Sequence, residues 1–456
     1  MTSNAPHIGY LPDERPPVWK LLLYALQQVV VMFPATIAVA LITGFHVSTT
    51  IFASGLATIC FLLVTGRQLP LYYGSSFSYL SAIIALMTSK ELANSPLNDK
   101  IAVAQFGIIM SGLVSIGAGF LVKAVGKDVI DKILPASVTG PIAMAIGLTL
   151  AANALGDAAG IPGNPTEAVF ASLANNWAWV ISLSTLLSTI LFTVYLKGIW
   201  GQLPLLFGPI VGCAVAFAVQ LITGVPVFRS IPGEVPTGLF ALPIFTLPIP
   251  SWAAIAAIMP IAIATIPEST AHVYQLDIYV NDLSRKKGGK HYNIADKLGL
   301  NLIGDGIGDM VSAFVGGPAG TNYGENISAM AITKVFSTAV LMVAAVVAMI
   351  IACFTPLINA IYAIPRAVIG GLEVYLFGAI AAQGVAIMME KKVDMFSAKN
   401  IAVIATIMVI SLGGQYQFGG TIPFFGIQVP CIAGAAIFGI LLNLLLSIGE
   451  KKEKNA

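Results

Sequence analysis

Two glutamates stand in apolar stretches of this sequence, where an ionised side chain has little water to solvate it. Glu268 follows the apolar run 262–267, and Glu325 lies between the apolar stretches 310–315 and 335–353. A charged side chain at membrane depth costs about 3 kcal/mol or more, so such residues usually mark the path of a substrate or an ion. Each glutamate also lies next to a helix-breaking residue, which is typical of a transporter's binding site.

The composition is that of an integral membrane protein. The 456 residues are 57% hydrophobic and 10% charged, whereas soluble domains carry about 25% charged residues. Because a helix needs about 20 apolar residues to cross a bilayer, several of the long uncharged stretches hold two crossings. These stretches are residues 21–66, 198–228, 235–267, 335–365 and 401–449. The four cysteines stand singly, which favours apolar packing over a disulfide or a metal site. The net charge of +2 gives no indication of a nucleic-acid partner.

The hydropathy pattern predicts fourteen membrane segments. With the N-terminus in the cytoplasm, 19 of the 23 lysines and arginines fall on the inner side and 4 on the outer side, as the positive-inside rule expects. The predicted segments are roughly 19–43, 49–66, 76–89, 101–122, 136–153, 177–196, 203–223, 252–276, 294–315, 325–333, 335–355, 364–382, 398–413 and 430–449.

Fourteen segments divide into two halves of seven. An odd number of crossings in each half makes the second half an inverted repeat of the first. The third and tenth segments occupy matching places and are both preceded by sequence with Gly and Pro, at 70–77 and 316–325. Interrupted segments at matching places of two halves are the best sequence indication of a transporter's midplane site.

The residues around these interruptions favour a flat polar ligand. Half-helices that begin near Phe77 and Glu325 would direct unpaired backbone N–H groups into the site, where they favour carbonyl oxygens or anions. Glu268 and Glu325 accept hydrogen bonds and therefore favour N–H donors. Phe77 or Tyr323 can supply an aromatic wall. A nucleobase alternates N–H with C=O groups and satisfies all of these, although the residues alone leave an amino acid open.

His272 follows Glu268 by four residues, so on a helix the two side chains share a face. A lone membrane histidine is as often a structural contact, but beside a buried acid it can adjust that acid's affinity for protons. Because apolar surroundings disfavour the charged form of a carboxyl group, we expect Glu268 to take up a proton outside and release it inside.

Asp305 and Asp309 form a competing signal. The sequence Gly-Ile-Gly-Asp at 306–309 matches the pattern of intramembrane aspartyl proteases. That chemistry needs a second aspartate, usually after a tyrosine, and none of the 13 tyrosines precedes an aspartate. We therefore predict that both acids bond the backbone of the neighbouring interrupted segments, and we keep the protease only as a remote alternative. No phosphate-binding Gly-Lys-Ser/Thr loop supports transport driven by ATP.

Residues 325–334, Glu-Asn-Ile-Ser-Ala-Met-Ala-Ile-Thr-Lys, resemble the signature of the nucleobase–ascorbate transporter family. That signature begins with Gln, Glu or Pro followed by Asn, and it ends with Thr and Arg, Lys or Gly. Glutamate at the first position, after Tyr323 and Gly324, is similar to the bacterial uracil–proton symporters, whereas the purine branch usually carries glutamine there. The resemblance extends from Pro16 to about residue 413.

The resemblance implies an all-α polytopic membrane protein, with fourteen segments in a 7+7 inverted repeat and short antiparallel strands in segments 3 and 10. The strands would cross at the substrate. A core domain would comprise segments 1–4 and 8–11, and a gate domain segments 5–7 and 12–14. The corresponding boundaries are a tail at 1–18, core at 19–135, gate at 136–235, core at 236–360, gate at 361–449 and a tail at 450–456.

The resemblance also assigns roles to individual residues. Glu268 would serve both as a substrate ligand and, with His272 as its partner, in proton coupling. The implied substrate contacts are Glu268, Glu325, Phe77, Tyr323, Gly324 and, with less weight, Ala35. The residues expected to support the site are Asn326, Ser76, Gln27 and Thr333.

Two positions depart from the family pattern. The Gln-His pair of the first segment is Gln27-Gln28 here, so any role of that histidine is lost or altered. Ser328 replaces the glycine of the signature, and we expect it to crowd the packing behind the site and to shift specificity.

We therefore expect a uracil importer that works by proton symport in the inner (cytoplasmic) membrane of a bacterium, with both termini cytoplasmic. Proton-linked uptake of xanthine or urate is the alternative within transport, and a channel is disfavoured because closed midplane acids suit occluded binding. The expected partners are uracil or a related nucleobase, a proton and the lipid bilayer, with no nucleic acid. We expect no enzyme activity, no metal and no cofactor besides the coupling proton. A homodimer is expected from the resemblance alone.

Overall fold

The computed structural model describes residues 9–89, 91–126, 132–160, 173–198, 200–231, 238–425 and 427–453, and this part of the chain is mostly helical. The elements of the first half are α1 (Val18–Thr43), α2 (Val47–Val64), β1 (Tyr73–Ser75), a 3-10 turn (Phe77–Tyr79), α3 (Leu80–Met87), α4 (Leu97–Val125), α5 (Ala136–Thr149), α6 (Ala151–Ala158), α7 (Leu173–Tyr195), a 3-10 turn (Trp200–Gln202) and α8 (Pro204–Thr223).

The second half begins with two short turns of helix that lead into a long one. Its elements are α9 (Trp252–Ile258), a 3-10 turn (Met259–Ile261), α10 (Ala262–Lys286), a 3-10 turn (Ala295–Lys297), α11 (Leu298–Phe314), β2 (Gly320–Asn322), α12 (Gly324–Thr333), α13 (Thr338–Ala352), α14 (Thr355–Tyr362), α15 (Arg366–Glu390), α16 (Ala398–Phe418), β3 (Thr421–Phe424), β4 (Ile427–Pro430) and α17 (Cys431–Glu453).

Ten helices of the described residues are long and apolar enough to cross a membrane. Helices suit this environment because every backbone polar group finds its partner within the segment. Each of the fourteen predicted segments overlaps a helix. The predicted segments that do not correspond to one of the ten long helices overlap short helices. They are the apolar helices Phe77–Met87 and Thr338–Ala352, α11 with 17 residues and α12 with 10 residues.

The interrupted segments meet as a pair of strands. β1 pairs with β2 in antiparallel fashion, with Tyr73 opposite Asn322 and Ser75 opposite Gly320. All six residues of the two strands are buried. The prediction of short antiparallel strands in the third and tenth segments is confirmed, and these strands bring together sequences that lie about 250 residues apart.

A second strand pair lies between the last two long helices and was not predicted. β3 pairs with β4 in antiparallel fashion, with Thr421 opposite Pro430 and Phe424 opposite Ile427. This pair adds to the expected strands of segments 3 and 10. Four-residue strands are too short to leave a clear alternation in the sequence.

Glycines allow the main helix pairs to approach closely. α4 packs along α11, and a Cβ added at Gly112 would lie 2.5 Å from the Gly306 carbonyl oxygen. α5 packs along α15, and a Cβ at Gly384 would lie 2.4 Å from the Gly140 carbonyl oxygen. In a bilayer no hydrophobic driving force brings helices together. Small residues at such interfaces let the backbones approach closely, and this packing stabilises the helix pair instead. The α4–α11 contact positions Asp305 and Asp309, which α11 carries next to the crossing strands.

Candidate functional site

A cavity of about 310 Å³ lies beside the crossing strands. The 3-10 turn after β1, α10, β2 and the start of α12 form one wall, and α5 and α15 form the other. Six residues predicted for substrate contact or proton coupling line this cavity together: Phe77, Glu268, His272, Tyr323, Gly324 and Glu325. The structure thus brings the two glutamates to one cavity from segments that are distant in the sequence.

Two short helices begin at the cavity. The turn Phe77–Tyr79 starts after Ser76, whose Oγ accepts a hydrogen bond from the Ser78 backbone N–H at 3.2 Å. α12 starts after Tyr323, so Glu325 lies in its first turn. The first N–H groups of a helix have no acceptor within the helix and carry partial positive charge. The cavity therefore combines carboxylate acceptors with backbone donors, as the sequence predicted.

Glu268 lies directly after Pro267 inside α10 and is partly exposed to the cavity. Its Oε2 accepts a hydrogen bond from the Ser78 hydroxyl at 3.2 Å. His272 is buried, and its Nδ1 has no hydrogen-bond partner in the part of the chain that the structure describes. A Cβ added at Gly324 would lie 2.9 Å from His272 Nε2. Glu268 is thus tied to the 3-10 turn, while His272 packs against the start of α12.

Tyr323 is held in a fixed position by hydrogen bonds and by a close contact. Its hydroxyl donates to the Ser75 carbonyl at 3.1 Å and lies 2.9 Å from Thr36 Oγ1 on α1. Its ring occupies the space that a side chain at Gly74 would need, since a Cβ there would lie 2.3 Å from Tyr323 Cε2. Ala35 is buried in the apolar cluster that contains Tyr323 but does not line the cavity. Its neighbour Thr36 makes the polar contact from the first helix.

Asp309 ties both crossing strands to α11. Its Oδ1 accepts hydrogen bonds from the Tyr73 hydroxyl at 2.6 Å and from the Gly320 backbone N–H at 2.8 Å. The predicted bonding of an interrupted segment's backbone by this acid is therefore confirmed. Two donors also fit the requirement that a buried carboxyl group be hydrogen-bonded.

Asp305 bonds side chains rather than backbone groups. Its partners are the Asn322 amide at 2.8 Å, the Ser269 hydroxyl at 2.6 Å and the Asn301 amide at 3.1 Å. The backbone contact predicted for this acid is thus replaced by contacts with side chains of β2, α10 and α11. Asp305 and Asp309 both lie behind the cavity wall, where structural donors occupy them, which is unlike a pair of catalytic acids.

Asn326 links the family signature to the first helix. Its side-chain amide donates to the Gln28 carbonyl oxygen at 3.0 Å and to Gln28 Oε1 at 2.8 Å. Gln28 stands where the family pattern has histidine, and it is therefore a direct partner of the signature asparagine. Gln27 is partly exposed, and its Nε2 has no partner among the described residues. Thr333 donates to the Ala329 carbonyl within α12 at 2.9 Å, away from the cavity.

Several polar residues of the cavity were missed by sequence reasoning. They are Ser78, Thr139, Gln275 and Gln383. Ser78 lies two residues after Ser76 in the same motif, so the motif itself could have indicated it. Thr139 and Gln383 lie on α5 and α15, where the sequence offers no local signal. Ser328 also lines the cavity, so it lies at the site and not behind it, and its effect on specificity stays a prediction.

The cavity continues into a larger one of about 1,040 Å³. The two share Thr139, Pro267, Ala271, His272, Gln275, Gln383 and Ile387. At its far end the larger cavity is lined by the charged residues Glu390, Lys391, Lys392 and Asp394. The larger cavity therefore lies between the site and the face of the protein that the charge distribution predicts to be cytoplasmic.

Comparison with known proteins places these features in a family. Residues 19–420 match the Permease family. A uracil permease of Bacillus caldolyticus is 35% identical over 436 residues, covering 95% of this chain and 94% of the relative. A uracil permease of Escherichia coli (strain K12) is 31% identical and covers 96% and 93%. The putative pyrimidine permease RutG of the same strain is 33% identical and covers 96% and 91%.

Solved structures show the same fold at low sequence identity. The transmembrane domain of the cyanobacterial bicarbonate transporter BicA has a TM-score of 0.61 and 17% identity, covering 93% of this chain and 97% of that one. The murine anion transporter Slc26a9 in its inward-facing state has a TM-score of 0.67 and 15% identity, covering 96% and 69%. The family match extends over most of the sequence, and the resemblance read from the signature is confirmed. The chain therefore belongs to this permease family, together with the bacterial uracil permeases.

Proposed function

We propose that the protein imports uracil across a bacterial inner membrane together with a proton. The observation that carries this proposal is that Glu268 and Glu325 face one cavity beside two helix N-termini. The names of the relatives, which are uracil or pyrimidine permeases, favour a nucleobase over the amino acid that the residues alone left open.

Uracil matches the donors and acceptors of the cavity. Its two ring N–H groups can donate to the carboxylates of Glu268 and Glu325, and its two carbonyl oxygens can accept from the helix starts at Phe77 and Gly324. The ring of Tyr323 supplies a fixed aromatic surface. A cavity of about 310 Å³ is at the small end of ligand pockets, which span roughly 300–1,000 Å³. A cavity of this size can hold a nucleobase, and the names of the relatives favour uracil over xanthine or urate.

Proton coupling is assigned to Glu268 with His272. Bound uracil would donate a hydrogen bond to Glu268. Protonation of this carboxylate changes the number of hydrogen bonds that it can accept, so binding of uracil and binding of the proton affect each other. His272 stands one helical turn further along α10 and also lines the larger cavity, so it can receive the proton on its way to the cytoplasm. Transport would then return Glu268 to its starting state by releasing the proton inside.

Movement would occur between the two halves of the cavity wall. We assign α1–α4 and α9–α13 to a core domain and α5–α8 and α15–α17 to a gate domain, within fourteen segments arranged as a 7+7 inverted repeat. The helix pairs α4–α11 and α2–α13 lie within the core, and α5–α15, α7–α8 and α16–α17 lie within the gate. The cavity lies between the two sets, which supports alternating access by motion of one against the other.

The test is uptake of radiolabelled uracil by proteoliposomes that carry the purified protein. An inward proton gradient should drive accumulation, and a protonophore should abolish it. Unlabelled thymine, xanthine and urate should compete less well than uracil. Accumulation that survives the protonophore would reject proton coupling, and better competition by xanthine or urate would reject uracil as the substrate.

A binding assay addresses the site itself. Uracil should raise the melting temperature of the wild-type protein, and Glu325→Ala should remove this stabilisation, because it deletes one of the two acceptors for the ring. Stabilisation of Glu325→Ala equal to that of the wild type would reject the assignment of this cavity.

A further inference from the structure

The segment Gly9–Glu14, which we call the strap, lies against the ends of two helices that carry site residues. The Tyr10 backbone N–H donates to the Lys334 carbonyl at 2.8 Å, and the Phe336 N–H donates to the Tyr10 carbonyl at 2.8 Å. Tyr10 thereby forms a parallel bridge with Val335, directly after α12. Gly9 allows this approach, since its φ is +140° and a Cβ there would lie 2.3 Å from the Lys334 carbonyl oxygen.

The same strap binds the end of α10. Lys287, which follows α10, donates to both carboxylate oxygens of Glu14 at 2.7 and 2.6 Å and to the Gly9 carbonyl at 3.1 Å. Asp13 accepts hydrogen bonds from Lys290 at 3.0 Å and from the Tyr292 hydroxyl at 2.5 Å. The bond from Tyr292, and after it Lys290, lowers the pKa of Asp13, so this acid is ionised near neutral pH.

Apolar contacts and hydrogen bonds from the start of α13 complete the attachment of the strap. Tyr10 and Leu11 are 4% and 6% exposed and belong to the same buried cluster as Tyr323 and Val335. Thr338, at the start of α13, donates its backbone N–H and its hydroxyl to the Pro12 carbonyl at 3.1 and 2.9 Å. The strap is therefore a built part of the protein and not a loose tail.

The two clamped helices are the ones that present the two site glutamates. Glu268 lies 19 residues before Lys287 on α10, which corresponds to about 28 Å of helix. Glu325 lies 10 residues before Val335, on α12 and its end, or about 15 Å. Pro267 removes one backbone hydrogen bond of α10 just before Glu268. A change in tilt at the clamped end of α10 is therefore transmitted to Glu268.

We propose that the strap fixes the spacing between Glu268 and Glu325 by clamping the far ends of α10 and α12, so that Glu14 and Lys287 are positioning residues for the ligand. This inference rests on the proposed nucleobase site for its effect on binding, but the clamping itself does not depend on the ligand. Loss of the Glu14–Lys287 bridge loosens the end of α10 relative to α12, although the contacts of Asp13 with Lys290 and Tyr292 remain. The nucleobase then meets two acceptors whose separation varies.

One experiment measures the clamp without any ligand. Spin labels at Ile278→Cys on α10 and Ile332→Cys on α12, which are exposed by 66% and 45%, report the distance distribution between the helices. Cys60, Cys213, Cys353 and Cys431 are first replaced by Ser or Ala. Glu14→Gln and Glu14→Lys should broaden the distribution, and Glu14→Lys combined with Lys287→Glu should restore a narrow one. Asp282→Ala, which removes two exposed ion pairs at the same helix end without touching the strap, should leave the distribution unchanged.

A second measurement determines whether the clamp reaches the site. The Kd for uracil should rise by roughly two- to thirtyfold in Glu14→Gln and Glu14→Lys, and it should return in the charge-swapped pair. An unchanged distance distribution in both single variants would overturn the clamp. A broadened distribution with an unchanged uracil Kd would overturn the positioning role. Failure of the wild type to bind uracil would reject the proposed function instead, and the strap would then be judged by the distances alone.

Discussion

Replacing Gly74 with alanine tests whether the crossing strands fix Tyr323 at the ligand. The added Cβ would lie 2.3 Å from Tyr323 Cε2, and the ring can move away only by giving up the contacts of its hydroxyl with Ser75 and Thr36. Overpacking of this kind costs about 1–3 kcal/mol. Tyr323 lines the cavity, so a displaced ring enters the space that the ligand needs. At about 1.4 kcal/mol for each tenfold change, the uracil Kd should rise by roughly 5- to 150-fold.

Calorimetric titration of the purified variant with uracil measures this change. Gly117→Ala on α4 is the matched control, because a Cβ there meets nothing within 4 Å, and its Kd should equal that of the wild type. Tyr323→Phe frees the ring from its two polar contacts, so the losses in Gly74→Ala and Tyr323→Phe should be less than additive when combined. An unchanged Kd in Gly74→Ala, with normal binding by the wild type, would refute the role of the crossing strands in holding Tyr323.

The remaining predictions concern three acids. Glu268→Gln should abolish uracil accumulation driven by a proton gradient, and pH-dependent uptake that persists in this variant would contradict its coupling role. Glu373 is fully buried in α15, and neither carboxylate oxygen has a partner among the described residues. Glu373→Gln should therefore keep the wild-type melting temperature. Glu373→Lys should lower it strongly, because an unpaired buried charge costs several kcal/mol. A large drop in the melting temperature of Glu373→Gln would show that a charge is needed at this position. Asp13→Ala should lower the melting temperature by a constant amount between about pH 6 and 8. Folding lowers the pKa of Asp13, so this acid stabilises the protein fully at pH values above its ordinary pKa. The stabilisation is lost as the pH falls through the lowered pKa. A difference that already shrinks between about pH 8 and 6 would contradict the contacts of Tyr292 and Lys290 with Asp13.

Sequence reasoning succeeded where the signal was local. The apolar stretches predicted the long helices, and the Gly- and Pro-bearing runs at 70–77 and 316–325 located the interruptions in which the crossing strands lie, although the strands themselves were implied by the family resemblance. A half-helix was expected to begin near Phe77, and Ser76 caps the helical turn that begins there. In each case the pattern reports burial or a helix end, which are properties of neighbouring residues.

Sequence reasoning failed where the contact joins distant segments. The signature asparagine Asn326 bonds Gln28, whereas the sequence named Gln27 as a supporting residue and gave no partner for Asn326. Glu268 bonds Ser78, 190 residues away, whereas the helical spacing suggested only His272. The strap was not predicted, because its partners lie more than 270 residues further along the chain and no local pattern indicates them. Such pairings are set by packing, and local propensity does not encode them.

The hydrogen-bond partners of the buried acids separate structural from functional carboxylates, which their burial alone does not. Asp305 accepts three hydrogen bonds and Asp309 two from the strands and neighbouring helices, and neither acid lines the cavity, so both serve to hold the crossing strands. Glu268 has one described hydrogen-bond partner, the Ser78 hydroxyl, and with Glu325 it faces the cavity. A carboxylate has room for about four hydrogen bonds, so these two acids retain capacity for N–H groups of a ligand. Glu268 and Glu325 are therefore the pair to expect at a nucleobase, and a ligand that offers no N–H donors should not bind.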